Sequence, residues 1–226
     1  MYANSSAVHS NQTFCHPDLA RTVARHLGNS SQRPLAAHTR AAFDAIAEQV
    51  KAHAGPIILD SYCGTGMSSV LLAQQNSKHL IIGIDQSEHR LRRNDGELPP
   101  NCLLVRADCG DFWRMALAAQ WNIGQHFLLY PNPWPKKSQL KRRLHGRPEF
   151  STLLALGGRV ELRSNWQIYV EEFGMALMMA GQVPWIDQPP QAEPLTLFER
   201  KYRDSGHQLW RCQCSLSHNG QITGEQ

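Results

Sequence analysis

Three acids stand where short apolar runs end. Asp60 closes 57–60 (IILD) and leads at once into a glycine turn, Ser61-Tyr62-Cys63-Gly64-Thr65-Gly66. Asp85 closes 80–85 (LIIGID), 19 residues after Gly66. Asp108 follows 102–106 (CLLVR). Glycines let a backbone turn sharply and approach a ligand with no Cβ in the way. A carboxylate about 20 residues further on can accept hydrogen bonds from both hydroxyls of a ribose. An acid or amide near the end of the third run can line an adenine pocket. Turn plus spacing therefore point to an adenosine-containing ligand. A dinucleotide fingerprint would need a third glycine where Ser69 stands, which disfavours a nicotinamide dinucleotide. The glycines taken alone could equally serve helix–strand packing.

A second group of residues suits a polyanion. Residues 130–137 read YPNPWPKK. The prolines at 131, 133 and 135 make a stiff, extended loop with few backbone donors. Asn132 and Trp134 project from it, and a Trp face can stack a nucleobase, worth ~1–3 kcal/mol. The run 136–147 (KKSQLKRRLHGR) carries Lys136, Lys137, Lys141, Arg142, Arg143 and Arg147 and no acid, against a net charge of +4 for the whole chain. A basic patch on a nearly neutral body points to nucleic acid. A solvated helix face and a buried loop Trp are the plain alternatives. Cys212-Gln-Cys214 falls on one face of an alternating strand, and the scattered cysteines include no CxxC pair, so no metal site is expected.

These residues need a scaffold. Helices are expected at 36–52, 67–75, 87–93, 111–121 and 165–180, and strands at 57–60, 80–85, 102–106, 126–130 and 159–163. Strands alternating with helices give an α/β fold, with a mostly parallel sheet covered by helices on both faces. Continuous apolar strands fit burial on both sides. The alternating 207–214 (HQLWRCQC) reads as an edge strand. Residues 1–34 are polar, with a helical pattern only at 17–27, and read as a loosely ordered arm ahead of one domain over 35–226. Arg21, Arg25 and Arg33 on that arm assist a polyanion site or simply keep it soluble.

Length and composition set the outer bounds. A chain of 226 residues with 42% hydrophobic and 19% charged residues is globular, and large enough for a single well-filled core. No apolar stretch reaches the ~20 residues of a membrane span. Residues 1–15 lack the pattern of a signal peptide, so a cytoplasmic setting with reduced thiols and no membrane partner is expected.

The motifs LDSYCGTG and GIDQ resemble those of class I S-adenosylmethionine-dependent methyltransferases, which have a Rossmann-like fold. That resemblance implies S-adenosyl-L-methionine as cofactor, held by Asp60, Tyr62, Gly64, Gly66, Asp85, Gln86 and Asp108. Tyr62 stands where the family's turn usually has its first glycine. YPNPWPKK with the downstream KRRL resembles the tRNA (guanine-N7)-methyltransferase family. ELRSNWQIYVEEF at 161–173, and Thr196-Leu197-Phe198-Glu199 followed by Gly206-His207, are similar to two further segments of that family. The likeness runs from about Pro34 to Trp210.

This second resemblance implies methyl transfer to guanine N7 of tRNA, in the variable loop, with tRNA or another structured RNA as partner. It implies Asn132, Gln139 and Arg142 at the reacting centre. Trp134, Lys136, Lys137, Lys141, Arg143, Ser164, Asn165, Thr196 and Glu199 would hold the substrate. Asn132 replaces the family's Asp, Gln139 its His, and Ser164-Asn165 its Thr-Asp pair. N7 of neutral guanine has a free lone pair, so the reaction needs alignment and no general base. The amides bear on recognition, since a carboxylate only accepts while an amide also donates. Transfer to another base or to an exocyclic amine stays open, as does a non-catalytic RNA-binding relative.

Overall fold

A computed structural model of the chain describes residues 4–29, 31–94 and 96–216. Its strands are β1 (Ile57–Ser61), β2 (Leu80–Asp85), β3 (Cys102–Arg106), β4 (Ile123–Leu129), β5 (Gly158–Ser164), β6 (Trp185–Asp187) and β7 (Trp210–Leu216). The helices are α1 (Leu19–Leu27), α2 (Ala37–Ala52), α3 (Met67–Gln75), α4 (Glu88–Leu91), α5 (Cys109–Ala118), α6 (Glu149–Leu156), α7 (Gln167–Met179) and α8 (Leu197–Asp204). The strands form one seven-stranded sheet in the order β3-β2-β1-β4-β5-β7-β6. β1 to β5 are parallel, and β7 and β6 run antiparallel to their neighbours. This is the expected Rossmann-like α/β fold.

Alternation along the strands feeds two cores. Ile57 and Leu59 of β1, with Leu80, Ile82 and Ile84 of β2, join the cluster packed by α1, α2, α5, α6 and α7. Ile58 and Ile81 point the other way, to Leu72 and Ala73 of α3 and to Leu195 and Leu209. Every residue of β1 and β2 is buried, which is why both read as unbroken apolar runs. Gly83 interrupts β2 because α3 presses on it there; a Cβ would sit 2.2 Å from Ser69 Oγ. Among the described residues, no helix is long and apolar enough to cross a membrane.

Several elements depart from the sequence reading. The strand near the C-terminus is not the sheet edge, because the short β6 pairs along its outer side. Three residues carry too little pattern to be read as a strand. Helices α6 and α8 lie where no helix was expected. α5 starts at Cys109, earlier than 111, because the Asp108 side chain caps it by accepting from Asp111 N–H. α4 is shorter than 87–93.

Described residues ahead of Leu35 lie against the body. Leu19 and Val23 of α1 are buried in the larger core. Gln12 is buried as well, and its amide donates to Glu172 Oε1 at 2.7 Å. Ser10 Oγ donates to Pro135 O at 2.5 Å, and Asn11 Oδ1 accepts from Lys137 N–H at 3.2 Å. Such polar anchoring leaves no hydrophobic periodicity to read.

Candidate active site

The order β3-β2-β1-β4 reverses direction between β1 and β4, and ligands in open parallel sheets bind beyond the strand ends at such a point. The glycine turn, Asp85, Asp108 and the loop after β4 all lie there. The turn is left-handed at Tyr62 (φ 66°), Gly64 (φ 63°) and Gly66 (φ 79°). Tyr62 thus adopts the conformation its glycine counterpart would take, at a cost of ~1–3 kcal/mol. Its ring lies edge-on to Trp113, with centroids 6.3 Å apart. Gly66 is required on two counts, since a Cβ there would also meet Leu104 at 2.6 Å.

Each acid is held firmly. Asp60 is fully buried, and its Oδ2 accepts from Ser68 Oγ at 2.5 Å and Ser69 Oγ at 2.7 Å. Its Oδ1 has no partner among the described residues. Burial pushes the Asp60 carboxyl up to about 6, against the two serine hydroxyls, which favour the charged form. Asp85 accepts from Gly64 N–H at 3.0 Å and Ser87 N–H at 2.8 Å, and pairs with Arg90 at 3.0 Å. Asp108 accepts from Gln86 Nε2 at 2.6 Å and from Arg33 at 3.1 Å. Arg33, paired with Asp108 and Asp111, is therefore not spare for a polyanion.

One cavity joins the two groups of residues. Tyr62, Asp85, Gln86 and Arg90 line one side, and Pro131, Asn132, Trp134, Arg142, Arg147 and Tyr169 the other. Its volume is about 180 Å³. The loop after β4 is bent by left-handed residues at both ends, Tyr130 (φ 54°) and Trp134 (φ 49°). Asn132 is exposed, and its Oδ1 accepts from Trp134 N–H at 3.1 Å. The Arg142 guanidinium stacks over the Trp134 ring at 4.8 Å.

The family described as "Putative methyltransferase" matches residues 54–212. The chain belongs to this methyltransferase family. It is similar to the tRNA (guanine-N(7)-)-methyltransferase of Treponema pallidum (strain Nichols), with 28% identity over 68% of this chain and 64% of that protein. The chain thus spans just under two thirds of that relative's length. The tRNA (guanine-N(7)-)-methyltransferase of Cupriavidus pinatubonensis is 26% identical over 92% of this chain and 90% of its own. Among solved structures, a 16S rRNA (adenine(1408)-N(1))-methyltransferase from Catenulisporales acidiphilia superposes with a TM-score of 0.57. It is 16% identical and covers 80% of this chain and 94% of that one. That likeness establishes the methyltransferase fold.

The basic segment divides by geometry. Residues Lys137–Arg142 and Leu144–Gly146 form two 3-10 turns. Arg143 is extended between the two turns and is buried with Leu140, Leu144, His145 and Gly146, while Lys136, Lys137, Lys141 and Arg142 are exposed. Arg143 is therefore a correction: it is fully buried and cannot meet a phosphate. It pairs with Glu172, donates to Gln12 Oε1 at 2.9 Å and Trp134 O at 3.2 Å, and lies over the Trp166 ring. His145 Nε2 lies 3.0 Å from Glu172 Oε2, and burial keeps its imidazole below the usual range, hence neutral at pH 7. Burial opposes the Glu172 carboxylate, but its His145 and Arg143 partners outweigh that and hold it at about 2.

Two further expected substrate residues are turned inward. Glu199 is fully buried and is saturated by Arg163, Arg203 and Leu195 N–H, so it cannot read a base. Ser164 is buried, and its Oγ accepts from Trp166 N–H. Gln139 accepts from Lys136 N–H at 3.1 Å, closing the 3-10 turn outside the cavity lining. Asn165 is half-buried, with Nδ2 3.1 Å from His207 Nδ1. Thr196 caps α8 through Oγ1 and borders a neighbouring cavity. Sequence reasoning missed Arg90 and Tyr169 in the lining. Arg90 alone had a readable signal, five residues past Asp85 on a short helix.

Proposed function

We propose that this chain is an S-adenosylmethionine-dependent methyltransferase that modifies guanine N7 in tRNA. The observation that carries the proposal is the single cavity bounded by Asp85 and Gln86 on one side and by Asn132, Trp134 and Arg142 on the other. It supports a nucleoside cofactor and an RNA base meeting at one place. The relatives named for guanine-N7 methylation of tRNA support the choice of acceptor.

The residues present fit the cofactor. Asp60 Oδ1 is a buried acceptor lacking a donor, which suits an ammonium group. Asp85 is fixed by two backbone N–H groups, so ribose hydroxyls need displace only the long side chain of Arg90 from it. Gly64 has open space where a Cβ would be. Gln86 and Asp108, bonded to one another, flank the adenine side. When bound, the cofactor supplies a methyl group activated by its sulfonium.

The chain's own residues then orient the acceptor. N7 needs no proton removed, so no side chain must titrate during the reaction. Trp134 with Arg142 forms a flat cationic platform for a base. Lys136, Lys137 and Lys141 stand exposed beside it for phosphates. Pro131 and Tyr169 exclude water from the inner end. Asn132 Oδ1 is engaged by Trp134 N–H, which disfavours its use as a cradle for an exocyclic amine.

The test is nucleoside mass spectrometry of unmodified tRNA incubated with the protein and cofactor. 7-Methylguanosine is the expected product. Asn132→Asp keeps the acceptor for Trp134 N–H and adds a second acceptor for guanine N1–H and N2–H. One charged hydrogen bond gained in the transition state raises the rate by roughly tenfold. Methyl on adenine or on an exocyclic amine, or no methyl at all, overturns the proposal.

A further inference from the structure

Asn165 lies one residue past β5, where the sheet register carries it level with the proline loop. Leu129 of β4 pairs with Arg163 of β5, and Tyr130 N–H donates to Arg163 O at 3.0 Å. Two positions further along, Asn165 comes level with Pro131, which lines the active-site cavity. His207 stands beside it, placed there by the end of α8. Gly206 is left-handed (φ 73°), its N–H donates to Arg203 O, and His207 N–H donates back to Tyr202 O, both at 2.9 Å. Such a two-bond helix ending folds the chain back over the last turn. The imidazole thereby stacks on Tyr202, with centroids 5.3 Å apart and planes at 13°. Tyr202 in turn packs on Tyr130 at 5.6 Å, where the proline loop begins. Both ring nitrogens of His207 are engaged. Nδ1 lies 3.1 Å from Asn165 Nδ2, and Nε2 lies 3.0 Å from the carbonyl oxygen of Ser5. Ser5 is tied on its other side as well, its N–H donating to Ser205 Oγ at 3.1 Å.

These partners assign the tautomer. A neutral imidazole has one N–H and one bare nitrogen. A backbone carbonyl only accepts, so the proton facing Ser5 O sits on Nε2. Nδ1 is then an acceptor, and only the NH2 end of the Asn165 amide can face it. With Nδ2 held by His207, Oδ1 is the free end, and it has no hydrogen-bond partner among the described residues. An amide oriented this way presents what a carboxylate presents, an acceptor alone. Guanine offers donors at N1–H and N2–H, whereas adenine has a bare N1 and no amino group at C2. We propose that His207 is a positioning residue for base selection: it holds the Asn165 amide so that Oδ1, and not NH2, meets the base, which favours the donor edge of guanine. The proposal rests on the reading of the protein as a guanine-N7 methyltransferase. The resembled family carries an acid at this position; here a histidine and the Ser5 carbonyl make an amide serve as one.

The experiment compares single-turnover methylation of tRNA carrying guanosine, inosine or 2-aminopurine riboside at the acceptor position. Inosine lacks the N2 amino group and 2-aminopurine lacks N1–H and O6, while both keep N7. Wild type should favour guanosine over at least one analogue by roughly 3- to 10-fold, the worth of one neutral hydrogen bond. His207→Phe keeps a flat ring on Tyr202 but offers Nδ2 no acceptor, so the amide turns either end to the base and the preference should largely disappear. His207→Asp gives up the stacked ring but keeps an acceptor beside Nδ2, and should retain the preference. A purely structural role predicts the reverse order. Asn165→Ala should lose the same preference, and His207→Phe should add nothing to that loss. S-adenosylmethionine affinity, read by calorimetry, should not move in any of these variants. If wild type methylates guanosine and treats both analogues alike, or if His207→Phe keeps the preference, the positioning role is refuted while the function stands. Loss of preference in His207→Asp, or loss of cofactor affinity in His207→Phe, marks a packing role and refutes it too. If wild type methylates no guanosine, the functional reading falls and the positioning role falls with it.

Discussion

Arg143→Met separates a structural arginine from a phosphate-binding one. In the native protein Arg143 and Glu172 have no exposed side-chain surface, and Gln12, His145 and the Trp134 carbonyl complete their hydrogen bonds. Removing one partner of a buried pair leaves the other charge uncompensated, which costs ~3–5 kcal/mol. The Glu172 carboxyl, depressed against its burial, points the same way, with His145 contributing ahead of Arg143. Its fall from 4.5 to about 2 on folding corresponds to about 3 kcal/mol of stabilisation, at 1.36 kcal/mol per unit. Because the native value is depressed, that stabilisation is present above pH 4.5 and is lost as pH falls towards 2. At ~2–4 °C per kcal/mol for a chain of this size, the variant should melt roughly 6–20 °C lower at pH 7.

The pH dependence contributed by the pair should also change sign. Without Arg143, burial dominates and the native state takes up a proton at Glu172 or its partner His145. Stability is then gained on acidification and lost as pH rises. Calorimetric melting from pH 7 to 5 should show Tm falling for wild type, whose buried His145 and His126 stay neutral in the native state while the unfolded chain protonates them, and a smaller fall or a rise for the variant. Arg143→Met/Glu172→Met should recover most of the loss. The tRNA salt slope of the single variant should stay within one contact of wild type. An unchanged Tm together with a slope lower by about one unit would refute the buried-pair reasoning.

Two further outcomes concern the cofactor. Asp85→Ala should weaken S-adenosylmethionine at least tenfold by calorimetry, since each charged hydrogen bond to the ribose is worth ~1.5–3 kcal/mol; unchanged affinity removes Asp85 from the site. Asp60, raised to about 6 by burial, must be ionised to accept an ammonium, so cofactor affinity should fall up to about tenfold per pH unit below 6 and level off above it. Adenosine, lacking the ammonium, should show no such dependence; a pH-independent cofactor affinity would exclude Asp60 as its partner.

Much of this protein is legible in its sequence because strands buried on both faces must be apolar throughout. IILD and LIIGID could be placed from that alone, and the acids closing them fixed the end of the sheet where a ligand binds. Tyr62, where the resembled family has a glycine, still takes a left-handed backbone (φ 66°). The proline loop carried its own rigidity. What sequence could not provide was the direction of each charged side chain. In KKSQLKRRLHGR six cations look alike, yet the carboxylate of Glu172, 29 positions away, draws Arg143 inside and leaves Arg142 on Trp134. Glu199 is turned inward in the same way by Arg163, from a strand 36 positions earlier. The polar N-terminal segment was unreadable for a related reason: Ser10, Asn11 and Gln12 are held by hydrogen bonds to residues more than 120 positions away. Hydrophobic periodicity is local and survives in one dimension. Pairing of buried charges depends on which distant element arrives opposite, and only the folded chain decides that.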